Sequence, residues 1–308
     1  MLTLQRGLSF RIARYQGVSE IDFTQADREL TFIRWACLID FGLSRLKCAG
    51  ELRMKNPNFD KGYFRLGVMF IMLVPVSASA QQTSPHWSYS GEEGPNEWGK
   101  LDSKYAACAS GKTQSPIDIR DAKKANLPAL KFDYNSVPLS IIDNGHTVQV
   151  NYPPGSTLTV GEKSYTLKQF HFHHPSEEHV NGHGYDMVLH LVHSDADGRL
   201  AVVAVFLKQG SPNGFIDSIW KDIPKEKHKA VDVSGATVNA KDLLPADRGY
   251  YMFAGSLTTP PCSEGVTWYV MKTPVSLSEA QVATFGHLYP KNARPIQATN
   301  GREILETQ

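Results

Sequence analysis

The run Gln169-Phe170-His171-Phe172-His173-His174 holds three imidazoles within four residues. Imidazole is the commonest protein ligand for a metal ion, and the one side chain whose ordinary charge change falls between pH 5 and 8. Side chains alternate between the two faces of a strand, so Gln169, His171 and His173 point one way and Phe170, Phe172 and His174 the other. A second apolar run, Met187-Val188-Leu189-His190-Leu191-Val192-His193, places Val188, His190 and Val192 on one face. As an antiparallel neighbour it would bring His190 beside the first pair. Three neutral imidazoles with no fourth protein ligand describe a catalytic zinc site with one position left for water, whereas a structural site closes with a fourth ligand, usually a thiolate. Spacing alone also fits an incidental metal-binding tract on a surface. The alternation with Phe and the apolar setting of residues 189–192 argue against that.

The elements that must position these histidines are strands. Residues 147–152, 157–160, 164–173, 200–208 and 265–272 are β-branched or aromatic runs closed by Pro, Gly or polar turns. Helical patterns are few and short, over 214–222 and over 278–288, the latter opening on Ser278 with Glu279 in its first turn. No repeat, long linker or sharp change in composition divides the region. The expected fold is α+β but mostly β: one domain with a large, twisted, mainly antiparallel central sheet and short peripheral helices.

Composition bounds the function. The chain has 308 residues, 41% hydrophobic and 20% charged, with 32 Lys+Arg against 31 Asp+Glu. A formal charge of +1 gives no basis for a nucleic-acid partner. Residues 66–76 form an uncharged apolar run of 11, preceded by Lys61 and Arg65 and followed by Ser77-Ala78-Ser79-Ala80. This is the pattern of a secretory signal peptide, too short for a stable membrane span. Starting at Met54 it would be a leader over 54–80, so residues 1–53 read as an over-extended start outside the native protein, and the working molecule as 81–308, periplasmic or secreted. Residues 1–80 carry 11 basic and 7 acidic residues, which leaves 21 against 24 and a formal −3 for the remainder. All 11 histidines and two of the four cysteines, Cys108 and Cys262, fall in that remainder. Two cysteines in an exported domain suggest one disulfide, with a pair of buried free thiols as the alternative.

Residues 169–177 (Gln-Phe-His-Phe-His-His-Pro-Ser-Glu), 189–193 (Leu-His-Leu-Val-His) and 255–262 (Gly-Ser-Leu-Thr-Thr-Pro-Pro-Cys) resemble an α-class carbonic anhydrase of the bacterial exported kind. The likeness extends over 84–299 and includes His86-Trp87-Ser88-Tyr89, residues 114–118, Asn144-Gly145-His146, Val266-Thr267-Trp268 and Asn292-Ala293-Arg294-Pro295, in the family's order and spacing. It implies Zn2+ held by His171, His173 and His190, and reversible hydration of carbon dioxide to bicarbonate and a proton by a zinc-bound hydroxide. It further implies that Thr258 orients the nucleophile by donating to a buried carboxylate, Glu177, which lies 13 residues before His190. Thr259 would contact bicarbonate, and Val192, Val202, Leu257, Val266 and Trp268 would form an apolar wall for carbon dioxide, though such residues in strands are ordinarily core. His146 would be the proton shuttle, with Tyr89, Asn144 and Gln149 ordering the water between. Read alone, Thr258 is also a turn hydroxyl and His146 an exposed turn residue.

Gln169 and the backbone carbonyl of Asn292 match the outer partners of the first two ligands. The family's usual glutamate two residues before the third ligand is Val188 here, and Glu178 is the candidate to replace it from the neighbouring segment. Inhibition by sulfonamides and anions is the remaining expectation; a homodimer is left open. A relative turned into a mere binding module would lack a ligand histidine or Thr258, and all are present.

Overall fold

β-Branched and aromatic residues pack well on a pleated, half-buried surface, and the sequence after residue 130 is rich in them. The computed structural model describes residues 85–308 throughout and, ahead of them, the backbone of four strands, Leu8–Tyr15, Val18–Gln25, Thr31–Asp40 and Arg45–Met54, which pair antiparallel in sequence order. Those strands fall in a unit separate from that of residues 84–308. The leader expected over 54–80 lies, apart from Met54, outside the described residues. Among the described residues no helix is long and apolar enough to cross a membrane.

Seven strands of the second unit carry the site: β1 (Val137–Asp143), β2 (Val148–Asn151), β3 (Lys163–His173), β4 (Met187–Ser194), β5 (Leu200–Gln209), β6 (Tyr250–Ser256) and β7 (Glu264–Met271). They lie side by side in the order β1-β2-β3-β4-β5-β7-β6 within a 13-stranded sheet. Neighbours are antiparallel except β5 and β7, which run parallel with Val202 opposite Trp268. The sheet is therefore mixed, though most of its pairs are antiparallel. Strand β5 is buried from Ala201 to Leu207 because both of its faces are covered. Ala201, Val203, Val205 and Leu207 join the main core with Phe170, Phe172, Leu189 and Leu191, while Val202, Ala204 and Phe206 join a second cluster with Val188, Val266 and Trp268.

A β-bulge sets which face the histidines use. The β3–β4 register shifts between Leu167 and Gln169, leaving Lys168 as the extra residue. Before it, Tyr165 and Leu167 point into the main core; after it, Phe170 and Phe172 do. Odd-numbered residues thus change faces, and without the bulge His171 and His173 would point into the core with Leu167.

Two helices back the core face behind the histidines. Helix α1 (Gly214–Trp220) is capped by Asn213, whose side chain accepts from Phe215 N and Ile216 N. It ends two residues earlier than the pattern predicted, where Asp222 N turns back to Ile219 O. Helix α2 (Glu279–Leu288) opens with a capping box between Ser278 and Gln281. Gln281 also joins the helices, donating to Asn213 O and Asp217 Oδ1 while its carbonyl accepts from Trp220 Nε1. Phe172 packs edge-on to Trp220 at 4.7 Å, and Trp220 stacks on Phe285 at 5.7 Å. The strand bearing two of the histidines is thereby held from behind.

Candidate metal centre

His171 and His190 are direct cross-strand partners on β3 and β4, and His173 lies opposite Val188. The ring centroids are 5.0 Å apart for His171 and His173, 5.4 Å for His171 and His190, and 4.7 Å for His173 and His190. One nitrogen of each lies within 4.8 Å of the others. His173 and His190 are buried and His171 is half-buried.

The opposite nitrogen of each ring meets an acceptor, which decides the tautomer and so which nitrogen is free. His171 Nδ1 lies 2.8 Å from Gln169 Oε1, and His173 Nδ1 lies 2.7 Å from the carbonyl of Asn292. His190 Nε2 lies 3.2 Å from Glu178 Oε2. The nitrogens left are His171 Nε2, His173 Nε2 and His190 Nδ1. His173 Nε2 is buried without a hydrogen-bond partner, an arrangement that is costly unless something else occupies that direction. Burial also holds the imidazoles neutral: His171 well below its usual range, His173 lowered to about 4 and His190 to about 3. Neighbouring imidazoles push His171 the same way, and in His173 the charge of Glu177 acts against burial. A neutral imidazole is the form that binds a metal, so the donor set fits a zinc ion.

Two buried carboxyls lie behind this set. Glu177 Oε1 accepts from Arg294 N at 2.8 Å, while Oε2 faces His173 Nε2 at 3.5 Å and His190 Nδ1 at 3.8 Å. Burial raises the pKa of Glu177; His173, Arg294 N and the Thr258 hydroxyl oppose that and Glu178 adds to it. Thr258 is thus close enough to favour the carboxylate, although Oε2 has no hydrogen bond of standard geometry. Glu178 is also raised, chiefly by burial. Val188 packs in the second apolar cluster and offers His190 no acceptor.

Thr258 and Thr259 lie on the loop between β6 and β7, braced by short contacts. Leu257 N donates to Ser263 O, Cys262 N to Thr259 O at 2.8 Å, and Trp268 Nε1 to Ser256 O at 3.1 Å. Cys262 is disulfide-bonded to Cys108, which resolves the choice between bridge and free thiols. Val202, Val266 and Trp268 are buried, and Val192 and Leu257 partly so, in the one cluster that also packs Val188. Trp268 sits edge-on to His190 at 4.9 Å.

His146 lies at the turn between β1 and β2. Asn144 Oδ1 accepts from His146 N and Thr147 N, and Gly145 takes φ +87°, a conformation that favours glycine. The His146 ring stacks on Trp87 at 3.7 Å and 6°. Burial lowers its pKa to about 4, with His86, His228 and Lys227 adding to the effect and Asp143 opposing it. Asn144 Nδ2 approaches Gln149 Oε1 at 3.4 Å, and Gln149 is the cross-strand partner of His171. Burial, then the charges of Glu177 and Tyr289, raise the Tyr89 pKa well above its usual value.

Sequence reasoning overlooked three contributors. The side chain of Asn292 donates to His146 O and Phe172 O and accepts from His174 N, so one buried residue joins the His146 turn to the ligand strand. The guanidinium of Arg294 binds Gln114 Oε1, Ser115 O and Cys108 O while its amide holds Glu177. Trp87, noted only within a motif, supplies the surface on which His146 stacks. Asn292 and Arg294 act across more than 100 residues and Trp87 across about 60, beyond the reach of any periodicity. His174 and His193 stand apart: His174 turns to Pro290 O, and His193 lies 2.6 Å from the Tyr134 hydroxyl.

The eukaryotic-type carbonic anhydrase family model matches residues 93–308. A carbonic anhydrase of a Nostoc species is 42% identical over 236 residues, covering 75% of this chain and 89% of its own. One of Neisseria gonorrhoeae is 41% identical, covering 81% and 100%. Among solved structures, a hyperthermostable carbonic anhydrase from a hydrothermal vent chimney has a TM-score of 0.70 at 46% identity, over 72% of this chain and all of its own. The α-carbonic anhydrase of Thermovibrio ammonificans in complex with sulfanilamide has a TM-score of 0.70 at 41% identity, with the same coverage.

Proposed function

The chain belongs to the eukaryotic-type, α-class carbonic anhydrase family, whose general reaction is hydration of carbon dioxide, and from that premise we propose that His171, His173 and His190 hold the zinc ion at which this enzyme works. The observation that carries the reading is the set of three inward nitrogens, each fixed by an acceptor on the far side of its ring. A zinc ion there would supply the charge that makes water acidic enough to attack carbon dioxide near neutrality; in carbonic anhydrases at large the pKa of such a water is about 7.

The chain's own residues do the rest. Glu177, held by Arg294 N, accepts a hydrogen bond from the Thr258 hydroxyl in its carboxylate form, which both donors favour against burial, so the Thr258 lone pairs face the attacking oxygen and orient it. Val192, Val202, Leu257, Val266 and Trp268 keep a water-poor wall where carbon dioxide, which has no charge to clamp, is stabilised by exclusion of water. Thr259 lies beside Thr258 to meet bicarbonate. His146 takes the proton leaving the site, through water ordered by Tyr89, Asn144 and Gln149. Its neutral state near pH 7 leaves a ring nitrogen free to accept. His146→Ala is expected to lower turnover in weakly buffered solution by about one to two orders of magnitude, with recovery in added imidazole. Unchanged turnover would exclude it as the shuttle.

Glu178 is a positioning residue in this reading, holding His190 by Nε2 so that Nδ1 points inward. The Glu178→Gln variant keeps the volume and replaces the carboxyl group with an amide. It is expected to bind zinc about 10- to 100-fold more weakly, measured by competition with a chelator, and Val188→Glu in the same chain should restore part of the loss. Zinc affinity equal to that of the parent would remove Glu178 from the account.

We place the working enzyme at 81–308, outside the cytoplasm, on the leader-like residues 54–80 and the bridge between Cys108 and Cys262. Amino-terminal sequencing of exported protein should begin at Gln81. Stopped-flow hydration of carbon dioxide, inhibited by sulfanilamide, tests the activity; a zinc-loaded protein that does not accelerate hydration would overturn it.

A further inference from the structure

His146 has a second histidine neighbour, from a distant part of the chain. Gly145 leaves room for it: a Cβ at that position would lie 2.5 Å from His228 Cε1 and 3.0 Å from His228 Nε2. The imidazole of His228 therefore rests on the turn that carries His146. It is fastened there, since His228 N donates to Asp143 O at 2.6 Å while Asp143 Oδ1 accepts from Gly145 N and from the Tyr289 hydroxyl. The preceding residue, Lys227, sits over the ring of Tyr289 at 5.5 Å. His228 itself adopts φ +63°, a left-handed conformation uncommon for any residue but glycine, which persists where surrounding contacts hold it. His86 also lies near His146, with ring centroids 6.3 Å apart. His86 and His228 are both exposed, so His146 has two solvent-facing imidazoles within its surroundings.

We infer that His228 is a second proton-relay station at the mouth of the site, taking protons from His146 through intervening water and passing them to bases in solution. The inference rests on the function proposed above. Each transfer is a plain exchange: protonated His146 gives up one N–H proton, a neutral His228 nitrogen gains one, and a base in solution then removes it. An imidazole is suited to this because one ring nitrogen can accept a proton while the other gives one up. The surroundings of His146 favour onward transfer: burial chiefly, and then His86, His228 and Lys227, disfavour its charged form, opposed by Asp143. Placing a second acceptor on the solvent side enlarges the target that dilute buffer must find, which matters when proton export limits turnover.

The zinc-loaded His228→Gln variant tests this in carbon dioxide hydration. With dilute buffer, kcat should fall by roughly threefold, less than the ~10²-fold contributed by a sole positioned acid–base group, because His146 remains. kcat/KM should not change, concentrated imidazole should erase the difference, and Lys225→Gln, which alters the charge of the same loop, should leave kcat as it is. Adding His228→Gln to His146→Ala should lower kcat no further, because His228 receives its protons from His146. Equal kcat in dilute buffer with and without His228 in the parent background, or an equal loss in the His146→Ala background, would overturn the inference while leaving the proposed function standing; absent hydration in the parent protein would instead defeat that function. A second readout needs no catalysis. In metal-free protein, the His146 titration followed by NMR should move to higher pH in His228→Gln as a like charge is removed, and an unmoved titration would show the two rings too far apart for the relay.

Discussion

Thr258→Ala is expected to lower both kcat and kcat/KM for carbon dioxide hydration by about 10²-fold, the scale found when one oriented hydrogen-bonding group is removed from a reacting oxygen. The reasoning is directional. A hydroxyl has one proton to give, and in the proposed reading Glu177 accepts it as a carboxylate, the form that the Thr258 hydroxyl favours against burial. Thr258 can then only accept from the attacking oxygen, which fixes how that oxygen presents its lone pair. Alanine leaves the oxygen free to turn and leaves Glu177 Oε2, already without a partner of standard geometry, facing the histidines alone. Zinc content should stay the same, because no ligand nitrogen is touched, and Thr258→Ser should retain most of the rate because it keeps the hydroxyl. A rate within twofold of the parent would mean that Thr258 is an ordinary turn residue.

Replacing Cys108 and Cys262 with serine is expected to destabilise the enzyme by about 2–5 kcal/mol, lowering its melting temperature by on the order of 10 °C. The bridged residues are 154 apart in sequence, and closing so long a loop removes much freedom from the unfolded chain. The bridge also fixes local structure. Cys262 sits at φ +56° with its amide on Thr259 O and its carbonyl accepting from Gln114 Nε2 at 3.0 Å, while Cys108 O accepts from Arg294. Those are the groups that hold the threonine loop and, through the Arg294 amide, Glu177. Reduction of the parent protein should therefore cost activity as well as stability. Thermal unfolding with and without reductant checks this, and a melting temperature unchanged within about 2 °C would contradict it.

Much of this arrangement was legible in the residues because a strand has period 2. Alternation from Gln169 to His173 assigns the histidines to one face and the phenylalanines to the other, and Leu189-His190-Leu191 repeats the pattern on the strand that pairs with it. The Ser278 cap and the start of the 214–222 helix could be read for similar local reasons. The bulge at Lys168 could not, since an extra residue is visible only once the partner strand fixes the register, and the alternation on each side of it looks regular in isolation. Partners from far along the chain were equally hidden. The Asn292 carbonyl entered through a family resemblance, and the seating of His228 against Gly145 joins residues 83 apart with no common pattern. Glu178 lies between: the missing carboxylate at Val188 raised the question, and only the fold shows that its Oε2 lies 3.2 Å from His190 Nε2.

The account turns on whether three histidines hold one zinc ion that hydration requires. The most direct measurement is metal content together with hydration rate, in the purified protein, after chelation, and after zinc is returned, with His173→Ala alongside. The account predicts one zinc per chain, loss of catalysis when it is removed, recovery with one equivalent, and a His173→Ala protein that neither retains zinc nor recovers. Full hydration activity in metal-free protein, or stoichiometric zinc and undiminished activity in His173→Ala, would contradict it.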